Sequence, residues 1–175
     1  MRKIICFHDP DGINGYLSNW YPSVFEKDGV WYSCMEQYMM HQKAVVFHDG
    51  EIAEQILAAD SPGKIKALGQ KVRNFDETLW NGLRQILIYE GLLEKFRQNA
   101  GLKKQLLDTF PCILAECAVQ DTIWGIGLSM TDPRRSDMTQ WRGQNLLGFA
   151  LMCARDSLNW MPVTFYPNAP DSLKR

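Results

Sequence analysis

Glu36 and Lys43 stand seven residues apart in the stretch Ser33-Cys34-Met35-Glu36-Gln37-Tyr38-Met39-Met40-His41-Gln42-Lys43-Ala44. Seven residues of α-helix return to within about 20° of the same face, roughly 10 Å along the axis. A carboxylate and an amine on one face can act as acid–base machinery or, through the amine, as a covalent nucleophile. Both residues also have structural uses. Glu36 falls three positions after Ser33, the spacing of a capping box, and Lys43 can be a solvated helix charge.

Other residues offer related chemistry. Glu116 lies in the apolar run Ile113-Leu114-Ala115-Glu116-Cys117-Ala118. A carboxylate there is costly unless it is hydrogen-bonded or paired. It is either a structural acid or a reactive one. Asp121 precedes Thr122-Ile123-Trp124-Gly125-Ile126-Gly127, where it can cap a turn or face a ligand. Trp20, Tyr21 and Trp124 belong to loops and can stack on planar groups. Trp80 lies on an apolar helical stripe, which allows a core role. Gly125 and Gly127 permit close backbone approach, but lack the strand–turn–helix setting of a dinucleotide fingerprint. Separated acids, a lysine and loop aromatics suit an N-glycosidic substrate. Cleavage there needs a proton for the departing base and negative charge near the anomeric carbon.

The elements that must hold these residues can be read in outline. A short strand is expected from Lys3 to Phe7. Asp28-Gly29 between aromatic flanks signals a hairpin. The first long helix should start near Cys34 and reach about Phe47, with His48-Asp49-Gly50 breaking it. Helices follow from about Glu51 to Ala59, and from Ser61-Pro62 to near Gly69, with proline at the first helical position. The stripe Leu79, Trp80, Leu83, Ile86, Leu87 and Tyr89 marks the longest helix, with a kink expected at Gly91. A short helix spans Gly101 to Thr109, a strand-like run Cys112 to Cys117, and a last helix about Gly143 to Asn159. The fold class is therefore mainly α: a compact multihelical domain with a small N-terminal β-hairpin and short strands. One domain is expected over 1–160, with 161–175 an extended or loosely packed extension.

Composition narrows the function. The chain has 175 residues, a net charge of −1 and a pI near 6.3. That balance lacks the cationic footprint that duplex nucleic acid requires. A single modified base remains admissible as a substrate. No apolar run is long enough to span a bilayer, and the N-terminus lacks the apolar core of a signal peptide. The five cysteines show no metal-binding spacing. Reduced thiols, a cytoplasmic location, no metal and no cofactor are expected.

Several motifs, in order, carry a more specific resemblance. They are Ser18-Asn19, Asp28-Gly29, Glu36-Gln37-Tyr38, Gln42-Lys43-Ala44, Lys66-x-Leu68-Gly69, Trp80, Lys95-Phe96, Leu106-Leu107-x-Thr109, Glu116, Asp121-x-x-Trp124-Gly125-x-Gly127 and Asn145-Leu146-Leu147-Gly148-x-x-Leu151-Met152-x-x-Arg155. Together they resemble the NADAR family, which includes YbiA-like N-glycosidases, over about residues 15–158. The resemblance implies cleavage of a bond between a ribose and a nucleobase-like ring. The substrate would be a phosphoribosylamino-pyrimidine intermediate of riboflavin synthesis, or ADP-ribosylated guanine in nucleic acid. It places catalytic roles on Glu36, Lys43 and Asp121, with Lys43 as a Schiff-base residue for the ADP-ribosyl substrate. Substrate binding falls to Ser18, Asn19, Trp80, Glu116, Trp124, Gly125, Gly127 and Asn145. Arg134, Arg135 and Arg142 would serve a diphosphate. The competing reading is a non-catalytic module that binds ADP-ribose or a nucleotide. Cys117-Ala118-Val119-Gln120 departs from the family pattern, which bears on substrate choice.

Overall fold

Asp28 and Gly29 both adopt positive φ, 54° and 82°, so the turn twists in the sense that a two-residue hairpin requires. It joins β2 (Phe25–Lys27) to β3 (Val30–Tyr32), with Phe25 opposite Tyr32. The computed structural model describes residues 3–159. The C-terminal extension expected over 161–175 lies outside the described residues.

The hairpin runs directly into α1 (Met35–Val46), whose N-cap is Cys34 rather than Ser33. This one-residue offset overturns the expected capping box. Gln37, not Glu36, becomes the third helical residue, and its Oε1 accepts hydrogen bonds from the Ser33 backbone N–H (2.8 Å) and hydroxyl (3.0 Å). Its amide nitrogen donates to the carbonyls of Ile56 and Leu57. Glu36 is thereby free of capping duty. His48, at φ 57°, ends the helical path.

Asp49 caps α2 (Gly50–Ala58) and binds Arg73 through backbone N–H and guanidinium. Pro62 opens α3 (Pro62–Gly69), and Asp76 caps α4 (Glu77–Gln98). The expected kink at Gly91 is absent, since α4 runs unbroken for 22 residues. Gly91 serves packing instead: a Cβ there would collide with the Tyr38 ring and sit 2.9 Å from the Met35 methyl. Gly91→Ala should therefore cost about 1–3 kcal/mol, the range of core overpacking, read as a lowered midpoint in thermal unfolding. An unchanged midpoint would mean that α1 and α4 separate freely at this point.

After α5 (Ala100–Leu107), the chain forms β4 (Ile113–Glu116), which pairs in parallel with β1 (Ile4–Phe7). The register sets Phe7 beside Glu116. A glycine-punctuated loop leads to α6 (Leu146–Leu158), which starts three residues later than the pattern suggested. Asn145 is the reason: it is fully buried at φ 55°, a left-handed turn that no helix continues. Phe7, Leu17, Phe25, Tyr32, Tyr38 and Phe96 anchor the main core beneath these helices. No helix of the described residues is long and apolar enough to cross a membrane.

Candidate active site

A cavity of about 350 Å³ opens where the turn at 18–20, one side of α1 from Glu36 to Lys43, the C-terminal half of α3, the end of β4 and the loop after it converge. Its walls carry three carboxylic acids, Glu36, Glu116 and Asp121, and two amines, Lys43 and Lys66. Trp20 and Trp124 supply aromatic surface.

Glu36 is placed by the chain before it. Lys95 is completely buried on α4, and its ammonium donates to the carbonyls of Tyr16 (2.8 Å) and Ser18 (3.2 Å). This ties down the turn holding Ser18, Asn19 and Trp20, and burial lowers the Lys95 amine to about 7. The Asn19 carbonyl in turn accepts the Glu36 backbone N–H at 2.9 Å. The Glu36 side chain is 4% exposed. Burial lifts its carboxyl to about 7, against the opposing pull of Lys66 and of the Trp20 side chain. Asp121 pushes it further up.

Glu116 terminates β4. Its backbone N–H donates to Asn145 Oδ1 (3.0 Å), whose amide nitrogen donates to Leu114 O (2.8 Å). Its carbonyl receives the amides of Ala118 and Ile126. The backbone is thus fully engaged, while Oε2 is inaccessible to solvent and has no hydrogen-bond partner. Burial, together with the charges of Asp121 and Glu36, raises the carboxyl to about 8. Lys66 again opposes the rise. Asn19 Oδ1 is a second buried oxygen without a partner on the same wall. Unpartnered buried oxygens are rare in folded proteins, and a ligand hydroxyl or N–H at this wall would satisfy both.

Asp121 caps the turn that follows it and borders the cavity. One carboxylate oxygen accepts the amides of Ile123 (3.0 Å) and Trp124 (2.8 Å), and the residue still lines the cavity. Lys43 lines it too, but its ammonium donates to Gly69 O at 2.8 Å and sits 4.2 Å from the Phe75 ring centre. Desolvation lowers its pKa.

Seven of the anticipated residues therefore meet at one cavity: Ser18, Asn19, Glu36, Lys43, Glu116, Asp121 and Trp124. Four do not line it. Trp80 is buried in the main core. Gly125 packs against protein: a Cβ there would lie 2.9 Å from the carbonyls of Asp121 and Glu116. Gly127, at φ 68°, approaches Arg142. Asn145 acts from behind, as the clamp on the end of β4. Two of the three anticipated diphosphate ligands are engaged elsewhere: Arg134 pairs with the Asp132 carboxylate and Arg135 donates to the Asp132 carbonyl.

Lys66 is the residue that chemical spacing did not single out. It is the cation that acts on both Glu36 and Glu116, and its ammonium lies 6.0 Å from the Trp20 ring centre. Nothing local marks it, because α3 carries a second surface lysine, Lys64, two residues before it. Arg84 is a second such residue, buried behind Trp124 at 5.8 Å from its ring centre. Among the described residues, no cluster of His, Cys, Asp or Glu could hold a metal ion.

The family model of the NADAR domain matches residues 6–159. The chain belongs to the NADAR family. Among its relatives are protein irg-1 of Caenorhabditis elegans, 38% identical over 90% of this chain and 82% of that protein. N-glycosidase R617 of Acanthamoeba polyphaga mimivirus is 38% identical over 88% of this chain and 95% of its own length. The NMR structure of YbiA from E. coli superposes with a TM-score of 0.75 at 28% identity, over 90% of this chain and 86% of that one. A riboflavin biosynthesis protein of Vibrio vulnificus carries a matching region over 39% of its length, 30% identical. The mainly helical NADAR architecture expected from the sequence is thus the one observed.

Proposed function

We propose that this NADAR protein is an N-glycosidase that hydrolyses the bond between a ribose and the nitrogen of a nucleobase-like ring. One observation carries the reading: two glutamates whose carboxyls are raised to near neutral pH, the buried Glu36 and the partly buried Glu116, face a single cavity beside Trp20 and Trp124. Two carboxyl groups kept at different protonation are what glycosidic cleavage uses. The NADAR relatives named N-glycosidases point to the same reaction.

Glu116 has the higher proton affinity and an Oε2 without a partner. It donates its proton to the departing nitrogen as the C1′–N bond breaks and the bonding pair moves to the base. Glu36, ionised, takes a proton from water as the water oxygen bonds to C1′. Its charge, with that of Asp121, opposes the positive charge that develops on the sugar. The indoles of Trp20 and Trp124 stack on the ring. Lys66 and Lys43 are the two amines available to a phosphate. With Arg134 and Arg135 engaged elsewhere, one phosphate fits the charge present better than two. The preferred substrate class is therefore a phosphoribosylamino-pyrimidine, in keeping with the riboflavin biosynthesis protein among the relatives. ADP-ribosylated guanine in nucleic acid is the competing substrate.

A covalent route has one observation in its favour, the half-buried Lys43 amine whose charge desolvation disfavours. Its ammonium would first have to leave Gly69 O. Incubation of the pure protein with both substrates separates the readings. Base release from the monophosphate substrate, with no adduct trapped by borohydride, is the expected result. A reduced sugar adduct on the peptide containing Lys43 would replace direct hydrolysis with imine chemistry. Intact saturable binding without release would make the protein a nucleotide-binding module.

A further inference from the structure

Cys6 and Cys117 meet on the far side of the strand that ends in Glu116. The parallel register sets Cys6 opposite Ala115. Side chains two residues apart on a strand share a face, so Cys117 follows Ala115 onto the face of Cys6. The backbone continues the pairing: the Cys117 N–H donates to Phe7 O at 2.8 Å. Both cysteines pack in one small cluster with Ala115, Ile126 and Leu128. Cys117 is buried, whereas Cys6 keeps partial exposure.

We propose that Cys6 and Cys117 form a peroxide-responsive thiol pair that closes to a disulfide and constrains the segment carrying Glu116. The register and the shared cluster bring the two thiols to one face of the strand pair. The Cys117 hydrogen bond and the Arg135 charge lower the Cys6 thiol, while that hydrogen bond and burial raise Cys117. Thiolate character, access and an adjacent resolving thiol are what reversible oxidation requires. The Cys6 thiolate attacks hydrogen peroxide, breaking the O–O bond to leave a sulfenic acid and hydroxide. The Cys117 sulfur then attacks the Cys6 sulfur. Its proton and the sulfenic hydroxyl leave as water. Overall two thiols and one peroxide give one disulfide and two waters.

A disulfide shortens the sulfur–sulfur separation to about 2.05 Å, drawing Cys117 toward β1. Glu116 is the adjacent residue, and its carbonyl holds the amides of Ala118 and Ile126. The closure therefore bears on the active-site wall without touching a reacting group.

The experiment needs no substrate, so its failure and that of the N-glycosidase reading are distinguishable. The native protein is treated with hydrogen peroxide, alkylated, digested and examined by peptide mass spectrometry. A Cys6–Cys117 cross-linked peptide lighter by two hydrogens, reversed by dithiothreitol and absent in Cys6→Ser, is expected. Recovery of both as alkylated thiols while the exposed Cys153 oxidises would overturn the proposal. Hydrogen exchange over residues 114–126 tests the constraint. At least a threefold change in rate on oxidation of the native protein, absent in Cys6→Ser, is expected. An unchanged rate in a cross-linked sample would overturn the coupling to Glu116.

Discussion

Glu36→Gln is expected to abolish base release and, at alkaline pH, to stabilise the protein. The loss should be on the order of 10²–10⁴, the range for removing a positioned general base, and the isosteric amide keeps the cavity's shape. The gain follows from where the proton sits. The folded carboxyl titrates at about 7, against an ordinary 4.5. Between those values the folded state retains a proton that the unfolded chain has released. Stability therefore falls as pH rises from about 4.5 through about 7, and the full deficit applies above 7. Glutamine does not ionise and escapes it. At pH 8 the variant should be more stable by on the order of 2–3 kcal/mol, and the two proteins should converge near pH 4. Denaturant unfolding at both pH values, beside turnover, checks this. Equal stability at pH 8 would mean that Glu36 is not held in a desolvated state. Normal turnover in the folded variant would remove it from the reaction.

The second large effect concerns the proton on Glu116. Wild-type kcat/KM should rise through about pH 7 as Glu36 ionises and fall above about pH 8 as Glu116 loses its proton. Glu116→Gln keeps a hydrogen-bond donor at that wall but has no proton to transfer. Release should drop on the order of 10²–10³, and the alkaline limb should vanish from what remains. Lys66→Met gives the complementary result. Lys66 favours the ionised form of both glutamates, so its removal should move both limbs to higher pH. A Glu116→Gln enzyme with an unaltered alkaline limb would assign the proton to another group.

Most of the architecture was legible because it rests on local rules. The Asp28-Gly29 turn announces itself, since both residues must take positive φ. Pro62 and Asp76 mark helix starts through a missing N–H and a capping carboxylate. The apolar stripe of α4 needs only the helical period. Where local rules misled, a competing contact within the fold had won. Gly91 suggests a kink from its own flexibility, yet the ring of Tyr38, more than fifty positions away, makes it a packing residue. Ser33 and Glu36 satisfy the spacing of a capping box, yet the helix starts one residue later and Gln37 takes the bonds. Glycines of the 125–127 loop suggest approach to a ligand, and it is the protein's own backbone that approaches Gly125.

The site divides along the same line. Glu36 and Lys43 share a helix, so the period of 3.6 places them on one face without further information. Glu116 in an apolar run and Asp121 before a turn could each be named as unusual acids. What the order of residues does not contain is that β4 ends beside α1, so that Glu36 and Asp121 raise the proton affinity of Glu116. Nor does it contain the position of Lys66, which belongs to another helix and matters only because α3 packs along α1. Composition and spacing determined which chemical groups this protein carries and which neighbours each has along the chain. Their protonation depends on burial and on charges a few ångströms away through space, and only the tertiary packing decides those.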